Sequence, residues 1–386
     1  MATFKETLQS LGDLVTEGVE TLSTKFKQRL HYDEPIQIVA YTGFGNQQWI
    51  KLSGRALEDN GAAKQSDEET LWQNLAQTYQ RFESDEVADL RVNLQFQGQT
   101  LEVITDKEGY FEATLPVSDW VTNGLWYDYQ VDVPEQPRLT NPFKPTTGKV
   151  QIPCPQCDFG IISDIDDTIM VTNATSTLSM MRLTFLRSPA SRLPFAGVNT
   201  FYQALTQGGA VPRPIFYVSS SPWNLYDFLE EFMELNKIPL GTLFLRDFGL
   251  QTLKASHHDH KSHYINQIMD AYPQLSFILI GDSGQHDPEV YSELVSQRPQ
   301  QVKAVYIRDV SPEESRDEEV LRLATKTREQ QIDLCLVAST VEAATHAVAQ
   351  GYISAEVLEQ LKADLDKTDT ARAQIETALQ EQEAAK

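Results

Sequence analysis

The chain has 386 residues, 41% of them hydrophobic, which suits two or three ordinary globular domains better than one core. A formal net charge of −23 argues against a general nucleic-acid binder, because phosphates would be repelled over most of the surface. Three cysteines, no signal-peptide pattern and no apolar run long enough to cross a bilayer fit a reducing, cytoplasmic setting.

Residues 1–32 are predicted as one amphipathic helix. Phe4, Leu8, Leu11, Val15, Val19, Leu22, Phe26 and Leu30 recur at steps of three and four and draw a single apolar stripe. Lys25, Lys27 and Arg29 make its last turns basic, as the helix dipole prefers. Such a helix either packs on protein or rests on anionic lipid, and Glu6, Asp13, Glu17 and Glu20 favour the first.

Residues 33–150 switch to period two. Ile36–Tyr41, Trp49–Leu52, Val92–Phe96, Tyr110–Leu115 and Trp126–Val131 read as half-exposed strands, and the expectation is a β-sandwich domain. One helix interrupts it, opened by a capping box at Ser66 and Glu69 and continued by Leu71, Trp72, Leu75, Tyr79 and Phe82. This half holds no cluster of catalytic residue types, so binding a protein partner or scaffolding is its expected role. Pro134, Pro137, Pro142, Pro145, Pro153 and Pro155 then mark a stiff linker. Cys154 and Cys157 form a C-x-x-C, but no second pair completes a zinc site.

From residue 151 to 353 short apolar strands alternate with helices. The strands are expected at Phe159–Ser163, Ile215–Val218, Leu243–Leu245, Phe277–Ile280, Val302–Ile307 and Leu334–Val337. Helices are expected at Leu225–Leu235 and His260–Tyr272, and the alternation implies an α/β fold with a doubly wound parallel sheet. Residues 354–386 are polar, rich in Glu, Gln and Ala, and predicted as a helical tail without chemistry.

The first of these strands stops at Asp164, Asp166, Asp167 and Thr168, which places carboxylates at the edge of the sheet where such folds keep their ligands. Asp164 and Asp166 converge only if the backbone turns there. The second strand runs into Ser219, Ser220 and Ser221 ahead of a helix, a seat for an anion or a simple cap. The fourth runs into Gly281, Asp282, Ser283, Gly284, Gln285, His286 and Asp287, where glycines allow a tight turn. Lys261 begins a helix, an unfavourable place for a cation without a local reason. Together they make a phosphoryl-transfer site. Asp164 is the nucleophile and Asp166 the acid and base, while Ser219 and Lys261 hold phosphate oxygens and Thr168 braces the loop. Packed carboxylates of this kind call for Mg²⁺.

These motifs resemble the four motifs of the haloacid dehalogenase superfamily of phosphotransferases, and within it the actin-patch-protein type of phosphatidate phosphatase catalytic domain. The resemblance covers about Asp158 to Ile353. It implies a haloacid dehalogenase-like, Rossmann-type domain and Mg²⁺-dependent hydrolysis of phosphatidate to diacylglycerol and phosphate. Lys261, with Lys254 as the alternative, supplies the third-motif lysine. The implied metal set draws on Asp164, Asp166, Asp282 and Asp287, with Ser220 as a further substrate contact.

Between Thr168 and Tyr226 there is no Asp or Glu at all, although the chain carries 55. Arg182, Arg187, Arg192 and Arg213 lie there among Met180, Met181, Leu183, Phe185 and Leu186, which suggests a substrate-facing segment that meets a membrane surface peripherally. Four of the seven histidines, His257, His258, His260 and His263, crowd beside Lys261 without the sulfur or carboxylate partners of a zinc site. The alternatives to a phosphatidate phosphatase are a soluble phosphomonoesterase of the same mechanism and a non-catalytic interaction module.

Overall fold

The computed structural model describes residues 35–58, 86–117, 124–135, 143–170, 194–246 and 257–365. The expected N-terminal helix, the helix from Ser66 to Phe82, Lys254 and the arginines Arg182, Arg187 and Arg192 lie outside these residues.

Among the described residues eight strands build the first half: β1 (Ile36–Ala40), β2 (Gly43–Gly45), β3 (Trp49–Glu58), β4 (Arg91–Phe96), β5 (Gln99–Ile104), β6 (Tyr110–Pro116), β7 (Trp126–Asp132) and β8 (Thr146–Gln151). In β4, Val92, Leu94 and Phe96 are buried while Arg91 and Gln95 face water, the alternation of a half-buried strand. The strand content of the expected sandwich is present, but hydrogen bonding joins all eight strands in one sheet. β3 is its hub, pairing with β1 and β2 along one edge and β6 along the other. The path runs on through β8, β7, β4 and β5, and β5 lies back against β6, so the sheet curls around a single core. β8 also corrects the linker expectation. The proline-marked stretch contains a strand that pairs with β7 antiparallel and with β2 parallel.

The second half is a six-stranded, wholly parallel sheet: β9 (Gly160–Ser163), β10 (Ile215–Pro222), β11 (Thr242–Arg246), β12 (Phe277–Asp282), β13 (Val302–Arg308) and β14 (Asp333–Val337). Its order, β11-β10-β9-β12-β13-β14, runs outward in both directions from the β9–β12 pair. The chain reverses its winding there, and that leaves a crevice at the carboxyl ends of those two strands.

Helices α1 (Val198–Gln207), α2 (Tyr226–Leu235), α3 (His257–Ala271), α4 (Asp287–Gln297), α5 (Glu314–Arg328) and α6 (Thr340–Ala349) cover both faces. Ile161, Tyr217, Ile278 and Tyr306 pack with α1, α2 and α6 on one side. Ile162, Phe216, Leu279 and Val305 pack with α3, α4 and α5 on the other. Strands buried on both faces read as unbroken apolar runs, which is why they stood out in the sequence. Residues 356–365 are also helical, and Leu361 is buried in the same core.

The two sheets are bonded to each other. Gln151 Nε2 donates to Ile215 O at 2.9 Å and to Thr242 Oγ1 at 2.8 Å, while Thr242 Oγ1 donates to Gly43 O at 2.9 Å. Thr42 N donates to Tyr226 Oη at 2.7 Å. A cavity of about 440 Å³ lies along this junction, walled by Tyr41, Phe44, Trp223, Phe244 and Tyr264. None of the acidic residues of the crevice lines it.

Arg213 has a structural place rather than a substrate-facing one. Its guanidinium is bidentate to Asp158 at 2.7 and 2.8 Å and donates to Leu205 O at 2.9 Å and Tyr352 O at 3.1 Å. It lies over the Phe159 ring and locks the start of β9 to α1.

Candidate active site

Four chain segments bring their polar ends together at the crevice. β9 delivers Asp164, whose backbone N–H still bonds Ile280 O of β12 at 2.9 Å. Beyond it the chain turns tightly: Ile169 N and Met170 N both donate to Ile165 O, and Asp167 takes φ 53°, a left-handed conformation that Asp tolerates better than most residues. That turn buries both Asp164 and Asp166 at the crevice.

Lys261, one turn into α3, is 3% exposed and sits between carboxylates. Its Nζ lies 2.9 Å from Asp164 Oδ1 and also donates to Asp287 Oδ1. Thr168 Oγ1 donates to Asp164 Oδ2 at 3.3 Å. Asp287, at the start of α4, accepts the backbone N–H of Asp282 on Oδ2 at 3.2 Å. Asp282 in turn accepts Gly284 N at 2.7 Å and Gln285 N at 3.0 Å on Oδ1. Asp164, Asp282 and Asp287 each offer an oxygen within 4.8 Å of the others.

Asp166 stands apart from that trio. Its Oδ2 accepts hydroxyls from Ser219 at 2.8 Å and Ser221 at 3.0 Å, and Ser219 Oγ also accepts Ser221 N at 2.9 Å. Ser219 was expected to hold a phosphate oxygen, yet here its hydroxyl is engaged with Asp166. Of Ser219, Ser220 and Ser221, it is Ser220 whose hydroxyl is buried without a hydrogen-bond partner.

The electrostatics follow from burial. Loss of solvent pushes the Asp164 carboxyl well above the usual range; Lys261 opposes this, and Asp287, Asp282 and Asp166 add to it. Asp282 is pushed up to about 8 by burial and then by Asp287. Burial also raises Asp166, against the hydrogen bonds from Ser219 and Ser221. Burial alone would lower Lys261, but the Asp164, Asp287 and Asp282 carboxylates outweigh it and keep the ammonium charged.

The donor set fits a hard divalent cation. All three clustered groups are carboxylates, and Asp282 Oδ2 is buried without a hydrogen-bond partner. Of the clustered histidines, His260 and His263 do not join them. His260 Nε2 donates to Ser219 O at 3.2 Å, and His263 is exposed.

Residues 159–309 match the family model described as the catalytic domain of phosphatidate phosphatase APP1. The Saccharomyces cerevisiae protein called phosphatidate phosphatase APP1 is 36% identical over 191 residues, which is 47% of this chain and 32% of that protein. The matched segment is thus similar to the APP1 catalytic domain. An uncharacterized protein of Schizosaccharomyces pombe is 25% identical over 211 residues, covering 54% of this chain and 34% of its own length. The chain thus spans about a third of the length of these curated relatives. Among solved structures, a carbohydrate acetylesterase from Xanthomonas citri superposes over 74% of this chain and 72% of its own, at 11% identity and a TM-score of 0.25. So loose a superposition carries no argument.

Of the residues expected at the site, Asp166 and Ser219 form one bonded pair at the crevice and Asp164, Thr168, Lys261, Asp282 and Asp287 another group, whereas the Ser220 hydroxyl bonds to neither. Of the two candidate lysines, Lys261 is the one found among the carboxylates. Ser221 had gone unassigned, although its position two residues after Ser219 puts it on the same strand face. Arg308 was missed as well. It ends β13 opposite Asp282, donates Nε to Thr168 O at 3.2 Å and Nη2 to Thr340 Oγ1 at 3.1 Å, and so ties the turn after β9 to α6.

Proposed function

We propose that the chain is a Mg²⁺-dependent phosphatase of haloacid dehalogenase type that hydrolyses phosphatidate or a closely related lipid phosphate monoester. The observation that carries this reading is the pairing of Asp164 with Lys261 beside Asp282 and Asp287, within a segment similar to the APP1 catalytic-domain family. In this reading the curled sheet preceding it is the β-sandwich partner domain of that family.

In the first step a carboxylate oxygen of Asp164 attacks phosphorus and forms an aspartyl-phosphate, and the bond to the leaving oxygen breaks. Asp166 gives its proton to that oxygen, so the alcohol departs neutral. Burial suits Asp166 to hold this proton, and Oδ1, which no hydrogen bond occupies, is free to present it. Asp166, now a carboxylate steadied by the two serine hydroxyls, then takes a proton from water. The resulting oxygen attacks phosphorus, releasing phosphate and restoring Asp164. Lys261 offsets negative charge throughout. Asp164, Asp282 and Asp287 are the residues that would hold Mg²⁺, which when bound supplies charge neutralisation for the phosphoryl oxygens.

The test is phosphate release from phosphatidate vesicles and from a small soluble phosphate ester, each with Mg²⁺ and with EDTA. Activity on both substrates is expected to stop in EDTA, with phosphatidate preferred in its absence. The charge-reversed pair Arg182→Glu with Arg187→Glu, or raised salt, is expected to reduce turnover on vesicles far more than on the soluble ester. A soluble ester preferred throughout, with equal losses in that variant, would replace the lipid substrate with a soluble one.

A further inference from the structure

Arg316, in the first turn of α5, lies beyond the segment 159–309 that defines the family match. Its guanidinium is nevertheless spent on the loop after β12 and on α4. Nε donates to Ser283 O at 2.8 Å, and Nη2 donates to Gln285 O at 2.7 Å. Nη2 also reaches Glu289 Oε2 at 3.0 Å, and Nη1 reaches Glu289 Oε1 and Glu319 Oε2, the latter at 2.8 Å. The side chain is only 16% exposed. Burial pushes Glu289 up, but its bonds to Arg316 hold its carboxyl below the usual range.

The direction of the loop's peptide groups gives this contact its meaning. Ser283 O and Gln285 O turn outward to Arg316, while Gly284 N and Gln285 N turn inward to Asp282 Oδ1. Arg316 thus holds the Ser283–Gly284 peptide, whose N–H bonds Asp282 Oδ1, and the carbonyl of Gln285, whose own N–H makes the second bond to that oxygen; Oδ2 is left buried and without a hydrogen-bond partner. Glu289 is two residues beyond Asp287 on α4, so the same guanidinium ties the loop of Asp282 to the helix of Asp287. A planar, five-donor group can span two carbonyls and a carboxylate at once; a lysine ammonium cannot.

We propose that Arg316 is the positioning residue for Asp282 and Asp287, and that the affinity of the site for Mg²⁺ depends on it. The inference rests on the reading of the carboxylate cluster as a Mg²⁺ site. Groups that orient metal-holding side chains commonly change metal affinity by ~10–100-fold when removed.

Calorimetric titration of the whole chain with MgCl₂ alone tests this without any turnover. R316A is expected to weaken Mg²⁺ binding at least about tenfold, with R316K nearer to R316A than to the wild type. R213K supplies the structural control, because Arg213 clamps Asp158 away from the loop: it should lower the melting temperature and leave Mg²⁺ affinity unchanged. Should R316A fail to fold, R316K and E289Q carry the same comparison. Affinity within twofold of wild type in the Arg316 variants, or an equal loss in R213K, overturns the positioning role and leaves the Mg²⁺ site standing. A wild-type chain that binds no Mg²⁺ and keeps its activity in EDTA overturns both.

Discussion

Gly281 and Asp287 are so close that a β-carbon on Gly281 would sit 2.4 Å from Asp287 Oδ2 and 2.7 Å from Asp287 Cβ. The missing side chain is therefore the space in which Asp287 stands. Gly281→Ala forces either the strand end or the α4 terminus to shift, an overpacking that costs ~1–3 kcal/mol. The expected result is a folded chain with a lower melting temperature and phosphatase activity reduced at least about a hundredfold, since an ångström of misplacement at reacting groups costs that much. Near-normal turnover in this variant would mean that Asp287 has no part in the site.

The two serine hydroxyls on Asp166 Oδ2 favour its charged form, against the burial that raises it. Ser221→Ala removes one of them, so the Asp166 pKa rises further. Water activation needs the carboxylate, and the acid limb of the kcat profile is therefore expected to move to higher pH. Turnover at neutral pH should fall, by less than the ~10²–10⁴-fold that losing a general base outright costs. An unshifted acid limb would remove Asp166 from the hydrolytic step.

Asp164→Asn keeps the size of the proposed nucleophile but removes its charge, and activity should fall by several orders of magnitude. The same change leaves Lys261 buried with Asp287 as its direct ion-pair partner. Lys261→Ala does the reverse and leaves carboxylates without their cation, which is expected to cost ~3–5 kcal/mol. Millimolar Mg²⁺ should recover part of the lost melting temperature, because a ligand that binds only the folded chain stabilises it. Calorimetric scans with and without Mg²⁺ check this. No Mg²⁺-dependent shift in either wild type or Lys261→Ala would count against a cation at the cluster.

Asp158 and Arg213 give a pH-dependent stability term remote from the site. The hydrogen bonds from Arg213 hold the Asp158 carboxyl below its ordinary value, outweighing a smaller opposing effect of burial. A depressed native pKa means that the stabilisation is complete above the unfolded value of about 4 and is lost as pH falls through the native one. Asp158 is about half exposed, so screening limits its worth to roughly 1 kcal/mol. Asp158→Asn should lower the melting temperature by about 2–4 °C at pH 7, and the difference should vanish near pH 2. A gap that persisted there would assign the loss to packing rather than charge.

The parallel sheet was legible because both its faces are buried, so each strand is an apolar run that ends abruptly in polar residues. β2, β5 and β8 were not. Gly43–Gly45 is too short to show a period, β5 is exposed at nearly every position, and β8 carries Thr146, Thr147, Gly148 and Lys149 among prolines. Its place depends on partners distant in the chain, Trp126–Val131 and Gly43–Phe44. The same division holds at the site. Asp164, Asp166, Asp282 and Asp287 follow strand ends and could be found by position. Arg316 could not, since locally it reads as an ordinary surface arginine paired with Glu319 one turn on.

Met170 and Pro194 form an antiparallel bridge, and Phe195 N donates to Ile169 O at 3.0 Å, immediately beyond the turn that carries Asp164 and Asp166. The chain therefore leaves the turn of Asp164 and Asp166 and returns to it at one doorway. Both stitches are made by backbone groups, so neither depends on how many residues separate them. Doubling the length of a connection costs only ~0.6 kcal/mol in closure entropy, little beside the cost of re-registering a buried strand. The strand ends that carry Asp164 and Asp166 are thereby fixed by register, while the number of residues between the two stitches is not.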